Sequence, residues 1–199
     1  RLLPQLVDAD HETVGMVRSP EQFERIEEAG AEPRLVDLEG EFRSALQGAD
    51  AVVFTAGSGG STGGEKTLLI DLWGAKRAID VCEEQGIDRF VMVSSVGADD
   101  PDASPQPIRH YLVAKHFADR YLRQSSLDAT ILRPGPLTDD EPQCCITAYV
   151  DESAEEPGEI PRGDVAAAIA TCLKTDDTIG HTIEIFGGET PIPKALQAG

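Results

Sequence analysis

The stretch EKTLLIDLWGAKRAIDVCEEQGIDRFVMVSSVG, residues 65–97, decides the fold class because a helical pattern passes directly into a buried strand. Apolar residues recur every three or four positions over Glu65–Gln85, and Gly86 supplies the residue type that ends helices. The run FVMVS at Phe90–Ser94 has four apolar residues in succession, which is typical of a strand covered on both faces. The helical spacing predicts one apolar stripe that consists of Leu68, Leu72, Ala75, Ile79 and Cys82.

The same alternation of short apolar runs and helical patterns extends over the whole chain. Further strands are predicted at Thr13–Val17, Arg34–Val36, Ala51–Thr55, Ala129–Leu132 and Thr182–Phe186. Further helices are predicted at Leu2–Val7, after Ser19, at Phe42–Gln47, at about Arg109–Gln124 and at Gly163–Leu173. Strands separated by helices imply β-α-β crossovers, so residues 1–199 are expected to form one α/β domain with a doubly wound, Rossmann-like parallel sheet.

The front of the chain departs from that pattern. The helix predicted at Leu2–Val7 resembles the second half of a longer helix, and no strand or Gly-rich turn comes before it. A doubly wound sheet normally begins with a central strand and such a turn. We therefore expect the first central strand to be missing from the chain, which would leave two neighbouring strands without a partner.

The chain is strongly acidic, with 36 Asp and Glu against 17 Lys and Arg and a formal charge of −19. Nucleic acids and anionic membranes favour basic surfaces, so neither is expected as a partner. The acidic residues are spread along the chain rather than collected in a tail. This distribution is typical of a salt-adapted protein, and an ordinary acidic protein is the alternative.

The apolar runs and the cysteines bear on the cellular compartment. No apolar run reaches the roughly 18 residues of a membrane span, and no signal peptide is visible. The cysteines form no spaced framework, so a reduced cytoplasm is expected. The adjacent Cys144 and Cys145 could form a vicinal disulfide, but two small residues near a strand are the simpler interpretation.

The residues best suited to chemistry follow the strand Phe90–Ser94. Ser94-Ser95-Val96-Gly97 ends that strand, and Tyr111 and Lys115 follow on a predicted helix. Positions i and i+4 share one helix face, and an ammonium beside a phenol lowers the pKa of the phenol, as acid–base catalysis near neutral pH requires. The strand-end hydroxyl would project into the crevice where open α/β sheets bind ligands. For the Tyr-Lys pair alone, a solvated helix face is the alternative.

Taken together, these motifs resemble the short-chain dehydrogenase/reductase superfamily, in particular its atypical NmrA-like NAD(P)H-binding branch, which includes sugar epimerases and epimerase/dehydratases. The resemblance covers essentially the whole chain. It is carried by Val17-Arg18-Ser19-Pro20, Asp37-Leu38, Thr55-Ala56-Gly57, Asp71 with Gly74, Val93-Ser94-Ser95-Val96, Tyr111 with Lys115, Leu132-Arg133-Pro134-Gly135, Arg162-Gly163-Asp164-Val165-Ala166 and Gly187-Gly188-Glu189-Thr190-Pro191-Ile192. In this alignment the absent segment is the first strand with the GxxGxxG turn of the family.

The resemblance implies roles for individual residues. Ser95 would hold the substrate oxygen, Tyr111 would move the proton, and Lys115 would bind the nicotinamide ribose and tune Tyr111; Ser94 is the competing serine. Other cofactor-binding positions are implied by the same alignment. Pro134 and Gly135 would lie by the nicotinamide, and the adenosine side would be lined by Thr55, Ala56, Gly57, Asp37 and Leu38.

The tip of the second family strand bears on the choice of cofactor. An acidic residue there would accept from the ribose 2′-hydroxyl and repel a 2′-phosphate. This chain has Arg18 with Ser19 beside it, a pair that suits a phosphate, so NADP(H) is expected to be preferred with NAD(H) possible. An exposed Arg18 paired with Glu21 or Glu24 is the alternative.

Other motifs carry less weight. The Gly-rich run 59–67 resembles a P-loop, but Glu65 separates the Gly and Lys that the motif places together. The four histidines have no metal-ligand spacing, so no metal is expected. Loops 97–107 and 134–143 flank the expected site and could contact substrate.

The sequence thus predicts an NAD(P)-dependent oxidoreductase or epimerase-like enzyme acting on a small carbonyl or hydroxyl compound or a flavin. Residues from about 134 to 199 would form its substrate side, and the protein would be a monomer or small homo-oligomer. A regulator or redox sensor that binds NADP(H) without turnover is the alternative, as in some NmrA-like proteins. The Ser95, Tyr111 and Lys115 set favours the enzyme.

Overall fold

The computed structural model describes residues 1–59, 63–104 and 106–197. Residues 60–62 of the Gly-rich run, Pro105 of the loop 97–107 and the last two residues of the expected domain lie outside the described residues. The helices are α1 Leu2–Val7, α2 Phe23–Glu28, α3 Gly64–Lys66, α4 Ala75–Gln85, α5 Gln106–Arg123, α6 Arg162–Cys172 and α7 Ile192–Ala195. A π-helical segment, Thr67–Gly74, joins α3 to α4.

The strands form one large sheet and two small ones. Their bounds are β1 Val14–Val17, β2 Glu32–Leu35, β3 Ala51–Phe54, β4 Arg89–Val93, β5 Asp128–Pro134, β6 Leu137–Thr138, β7 Cys145–Val150, β8 Ile160–Pro161, β9 Thr182–Gly187 and β10 Thr190–Pro191. The large sheet has the order β10-β7-β9-β5-β4-β3, while β1 pairs with β2 and β6 with β8. Strands β3, β4, β5 and β9 run parallel, which confirms the predicted Rossmann-like α/β class.

Two features of the sheet differ from a fully parallel one. Strand β7 pairs antiparallel with both β9 and β10, and it lies in a segment where no strand was predicted. Its sequence CITAYV is a short, largely apolar run, which periodicity alone does not distinguish from a buried helical segment, so tertiary pairing with β9 decides its conformation. The β1–β2 pair stands apart from the large sheet, and β3 is an edge strand of that sheet. The expected additional central strand stays a prediction.

The predicted stripe on the long helix is partly wrong because the helix changes its pitch. Over Thr67–Gly74 the helix is π-helical, which adds residues to each turn and rotates the later side chains. Thr67, Asp71 and Gly74 are buried there, whereas Leu68 is 55% exposed. The predicted core positions of α4, which are Ala75, Ile79 and Cys82, are buried as expected.

The helix after Ser19 also begins differently from the prediction. Pro20–Gln22 form a 3₁₀ turn before α2, and Ser19 makes no side-chain capping bond. The bond at this turn runs instead from the backbone N–H of Gln22 to the carbonyl oxygen of Ser19. The sequence Ser19-Pro20-Glu21-Gln22 predicts a capping box with Ser19 as N-cap and Gln22 as its partner, and this prediction is wrong.

The core occupies both faces of the large sheet. On one face Phe90 and Met92 pack with Ile79 of α4 and Leu122 of α5. On the other face apolar side chains of the central strands pack with α6, among them Val91, Leu132, Ile183 and Ile169. Coverage of both faces explains why β4 is apolar from Phe90 to Val93.

All four cysteines are free, so Cys144 and Cys145 do not form a vicinal disulfide. Within the described ranges, no helix is long and apolar enough to cross a bilayer.

Candidate active site

The expected site residues gather where the parallel strands end. The carboxyl ends of β3, β4 and β5 lie at one edge of the sheet because these strands pair in parallel register. The backbone N–H of Val96 donates to the carbonyl oxygen of Pro134 at 3.1 Å, so the segments that follow β4 and β5 remain joined beyond the strands. This edge is where doubly wound sheets bind ligands.

Ser95 and Tyr111 meet at this edge. The Ser95 hydroxyl lies close enough to the Tyr111 phenol to lower its pKa, and it donates to the carbonyl oxygen of Val96 at 3.1 Å. Ser94 is buried and turned away, with its hydroxyl toward Asp119. The geometry therefore brings Ser95, rather than its neighbour, to the phenol.

Lys115 lies one turn after Tyr111 on the inner face of α5. Its Nζ lies 5.9 Å from the centre of the Tyr111 ring and donates to the carbonyl oxygen of Val93 at 2.7 Å. The Lys115 side chain is buried. The i, i+4 spacing thus places the ammonium beside the phenol, as the sequence predicts.

The pKa of Tyr111 moves in the direction opposite to the prediction. Burial and the negative charge of Asp71 together raise the pKa of Tyr111 to about 12, although the nearby Ser95 hydroxyl lowers it. Burial lowers the pKa of Lys115, against the attraction of Asp71 and Asp119. Burial and carboxylates therefore outweigh the ammonium in setting the state of the phenol, which keeps its proton at neutral pH.

Asp71 is a site residue to which the sequence analysis gave no role. The π-helical segment turns it inward, where it is 1% exposed, and its Oδ2 accepts from the backbone N–H of Ser58 at 2.9 Å. A Cβ added at Gly57 would lie 3.1 Å from Asp71 Oδ1, so the loop after β3 passes close to the carboxylate. The sequence signals are its acidic character within the apolar run TLLIDLWG and its place, with Gly74, in the family resemblance.

Asp119 and Arg133 form a second buried polar group at the site. Asp119 continues the i, i+4 series of Tyr111 and Lys115, and its Oδ2 accepts from Arg133 Nε at 3.0 Å. Glu184 of β9 faces the same guanidinium at 4.0 Å. Burial raises the pKa of Asp119, and the charge of Arg133 opposes that rise. The i, i+4 spacing of Tyr111, Lys115 and Asp119 is visible in the sequence, but no role was predicted for Asp119.

Pro134 and Gly135 are both buried at the end of β5. A Cβ at Gly135 would overlap the carbonyl oxygen of Gly158 and would contact the Phe186 ring at 2.8 Å. Gly135 therefore packs beneath the segment that precedes β8, and its small size is required there by packing.

Arg18 and Ser19 lie at the tip of β1, in the smaller β1–β2 sheet. Arg18 is exposed and forms an ion pair with none of the acidic residues in the described ranges, including Glu21 and Glu24. The structure does not bring Arg18 into contact with Ser95, Tyr111 or Lys115. Its guanidinium remains available to an anion.

Asp37 and Leu38 follow β2 in a tight turn. Asp37 Oδ1 accepts from the backbone N–H of Glu39 at 2.9 Å, and the Asp37 side chain is exposed. Leu38 packs on the core, and its carbonyl oxygen accepts from Arg77 at 2.9 Å. These contacts fix the backbone of the turn.

The site fits a dinucleotide in two respects. Thr55 and Gly57 are exposed in the loop beyond β3, and a Cβ at Gly57 would fit only if the Asp71 carboxylate moved slightly. No group of three or more His, Cys, Asp or Glu side chains in the described ranges could hold a metal ion.

A sheet of this topology, with its polar site at the carboxyl edge, defines a Rossmann-type nucleotide-binding protein. Residues 1–176 match the NAD(P)H-binding family, and the chain belongs to that family. The uncharacterized sugar epimerase YhfK of Bacillus subtilis is 43% identical over 191 residues, which are 94% of this chain and 88% of that protein.

Solved structures of similar proteins have the same fold. A Bacillus halodurans protein that carries the name of an NAD-dependent epimerase/dehydratase has a TM-score of 0.95 and 48% identity, covering 98% of this chain and 91% of that one. The oxidoreductase ylbE of Lactococcus lactis has a TM-score of 0.82 and 30% identity, covering 98% and 88%. A short-chain dehydrogenase/reductase of Veillonella parvula in complex with NADP shares the fold, with a TM-score of 0.73, 19% identity and coverage of 95% and 89%.

Proposed function

We propose that the protein is an NADP(H)-preferring reductase of a small carbonyl compound or flavin, with Tyr111 as the proton donor. The observation that carries this proposal is the position of the Ser95 hydroxyl beside Tyr111, with buried Lys115 one helical turn away. When bound, the nicotinamide supplies the hydride. The side chains of this protein bind, orient and supply the proton.

The protonation of Tyr111 favours the reductive direction. A phenol with a pKa of about 12 holds its proton at neutral pH and can donate it to an oxygen that is gaining negative charge. Ser95 would hold that oxygen by a hydrogen bond, since its hydroxyl lies beside the phenol. Lys115 would contact the nicotinamide ribose from the same helix face.

The proposed cofactor contacts lie along the carboxyl edge. Thr55, Ala56 and Gly57 would bind the adenosine side through their backbone, with Asp37 and Leu38 near the adenine. Arg18 and Ser19 would bind a 2′-phosphate, because the Arg18 guanidinium is exposed and unpaired among the described residues.

A small substrate is favoured by the placement of the C-terminal segment. After Pro134 the chain adds β7, β9 and β10 to the same sheet, and α6 covers a face of that sheet. These elements extend the sheet and its core, so little of this segment is left to enclose a nucleotide sugar.

The same geometry supports one other function. Nζ of Lys115 is held by the carbonyl oxygen of Val93, and the pKa of Tyr111 is raised rather than lowered. A sensor needs no activated phenol, so binding of NADP(H) without turnover is the second candidate.

The test is NADPH oxidation with a panel of small carbonyl compounds and free flavin. Tyr111→Phe removes the donated proton and keeps the ring, so kcat should fall by about 10²–10⁴-fold while the Kd for NADPH changes little. Tyr121→Phe is the matched control, since the Tyr121 hydroxyl lies on the same helix but donates to Asp80 Oδ1 at 2.7 Å. Wild-type turnover by Tyr111→Phe would contradict the role of Tyr111 as acid.

Two further variants separate the roles of the other groups. Ser95→Ala should reduce kcat more than Ser94→Ala, because only the Ser95 hydroxyl meets the phenol. Lys115→Met should reduce kcat and also weaken NADPH binding. If NADPH binds tightly and no compound in the panel is reduced, the sensor replaces the enzyme.

A further inference from the structure

A polar cavity of about 320 Å³ lies beside α5, where Arg133 of β5, Thr182 of β9 and the segment 151–153 after β7 come together. Asp99, from the loop after β4, and His116 of α5 also line it. All of its lining side chains are polar or charged, in contrast to the apolar core on the two faces of the sheet. A cavity of this size takes a small molecule, and none of these residues has a role in the proposed reduction.

Arg133 brings unused hydrogen-bond donors to this cavity. Its side chain is 6% exposed, and its Nε donates to Asp119 Oδ2 at 3.0 Å. Nη1 lies 3.7 Å from Asp99 Oδ1 and 4.0 Å from Glu184 Oε1, and both distances are too long for a hydrogen bond. Among the residues that the structure describes, neither terminal nitrogen of Arg133 therefore has a hydrogen-bond partner. A buried guanidinium with free donors indicates an oxygen ligand, and its two terminal nitrogens match the two oxygens of a carboxylate.

The charges around Arg133 oppose a simple anion. Asp119 and Glu184 are buried beside its guanidinium, and Asp99 lies in the wall of the cavity. Three carboxylates around one guanidinium repel phosphate, sulfate or acetate. The ligand must therefore carry a positive charge together with its carboxylate.

The wall of the cavity supplies acceptors for such a positive group. His116 Nδ1 lies 2.7 Å from the carbonyl oxygen of Ala98. Because a carbonyl oxygen only accepts, Nδ1 carries the proton, and Nε2 of the neutral ring is an acceptor. Asp99 Oδ2 accepts from the Ser153 hydroxyl at 3.1 Å, which leaves Oδ1 for a ligand. Glu152 adds an exposed carboxylate, so the three N–H groups of an ammonium have three acceptors.

We propose that this cavity binds a free α-amino acid, with its carboxylate on Arg133 and its ammonium on Asp99, His116 and Glu152. The ammonium nitrogen and the carboxyl carbon of an α-amino acid are about 2.5 Å apart, so one molecule can reach both a guanidinium and a carboxylate that lie 3.7 Å from each other. A zwitterion has no net charge, so the acidic surroundings do not repel it. Each end of a peptide carries only one of the two charges, which makes the free amino acid the matching class.

The segment that follows β7 is held in place without a ligand. Asp151 Oδ1 accepts from the backbone N–H of Thr182 at 2.9 Å, and Oδ2 lies 2.6 Å from His181 Nδ1. The backbone N–H of Ala154 donates to Glu184 Oε2 at 2.9 Å. The cavity is therefore formed in advance, which lowers the entropic cost of binding a small molecule.

The experiment is a calorimetric titration of the full chain with each standard amino acid in turn, in the absence of NADPH. Because no cofactor is present, the outcome does not depend on the proposed reduction. At least one amino acid should bind with a stoichiometry of one per chain. Its primary amide, which lacks the carboxylate, and its N-acetyl derivative, which lacks the ammonium, should each bind about 10-fold or more weakly.

Two variants test the two ends of the ligand. Asp99→Asn keeps the shape and removes the charge, so the Kd of the amino acid should rise by about 10-fold or more, whereas the N-acetyl derivative should bind as it does to wild type. Asp140→Asn is the matched control, since Asp140 is also exposed but lies outside the cavity. Arg133→Lys keeps the charge and removes the paired donors, so it should bind the amino acid as weakly as wild type binds the amide. Circular dichroism checks that each variant is folded.

Three results would overturn the proposal. The first is that no standard amino acid binds at millimolar concentration, which would assign the cavity to water. The second is that the amide or the N-acetyl derivative binds as tightly as the amino acid, since one of the two charges would then be unnecessary. The third is an equal change of Kd in Asp99→Asn and Asp140→Asn, which would place the bound amino acid elsewhere on the protein.

Discussion

The two faces of α5 differ in a way that reverses the usual division between polar surface and apolar interior. The inner face buries Lys115 and Asp119, while the outer face exposes Val113 and Phe117. The inner charges face compensating groups, namely Asp71 for Lys115 and Arg133 for Asp119. The outer apolar side chains have no such compensation within the described part of the chain.

This difference shows that burying a charge is costly and that a neighbouring opposite charge or hydrogen bond offsets the cost. A charge in the interior is tolerated only where an opposite charge or a hydrogen bond replaces the lost water. An apolar side chain on the surface costs less, and several together mark a contact surface. The inner face of α5 therefore has the compensated charges of a candidate site, whereas its outer face exposes apolar side chains.

The largest expected effect comes from removing an inner charge. Asp119→Ala leaves Arg133 without the carboxylate 3.0 Å from its Nε, so the free energy of unfolding should fall by about 3–5 kcal/mol. Urea denaturation measures this loss. Arg120→Ala, one residue along on the exposed side of the helix, should change stability by less than about 0.5 kcal/mol. Equal losses for the two variants would remove the distinction between the faces.

The next largest effect is a dependence of stability on pH that comes from Tyr111. Burial raises the pKa of Tyr111 to about 12 from 10.0, so the folded state binds this proton more tightly than the unfolded state. The resulting stability is fully present below pH 10 and is lost as the pH rises through 12, and it amounts to about 2–3 kcal/mol.

Comparison of wild type with Tyr111→Phe isolates this contribution, because the variant lacks the titrating hydroxyl. Unfolding free energies at pH values on both sides of this range give the difference. If wild type and Tyr111→Phe lose stability equally with rising pH, burial does not protect the phenol.

Arg18 extends the comparison to an exposed cation that lacks a partner, unlike buried Arg133. A charge-assisted contact with a 2′-phosphate is worth about 1.5–3 kcal/mol, so Arg18→Asp should weaken NADPH binding by about 10- to 150-fold. NADH binding should change much less. Arg25→Asp, at an exposed position of α2, is the control in the same titrations. Equal losses for NADPH and NADH would show that Arg18 does not contact the phosphate.

The smallest expected effect is a change of melting temperature with salt, which acts on exposed charges and not on buried ones. Molar KCl should raise the melting temperature by about 2–4 °C, equivalent to about 1 kcal/mol, because salt screens the repulsion within a chain of charge −19. The penalty of Asp119→Ala should be the same at low and high salt, since that pair is shielded from solvent ions. A melting temperature that falls with salt would contradict adaptation to salt.

Most of the parallel core could be predicted from the sequence. The runs at β3, β4, β5 and β9 are apolar and bounded by helical patterns, and each forms the predicted strand. Strand β7 could not be predicted, because its conformation depends on pairing with β9. The π-helical segment was equally hidden, since an α-helical period also fits the apolar residues of TLLIDLWG.

The candidate site could also be predicted only in part from the sequence. Spacing alone places Tyr111 beside Lys115, and it places Ser95 at the end of β4. The protonation of Tyr111 could not be predicted this way, because a pKa depends on burial and on charges remote in sequence such as Asp71.

The sequence by itself determined the α/β class, the acidic surface and the residue types at the carboxyl edge of the sheet, because composition and periodicity are local properties. Tertiary structure alone decided that Leu68 is exposed and Asp71 buried, that Asp119 pairs with Arg133, and that the phenol keeps its proton. The physical reason is that burial, unlike periodicity, is set by segments that are distant in the chain and adjacent in space.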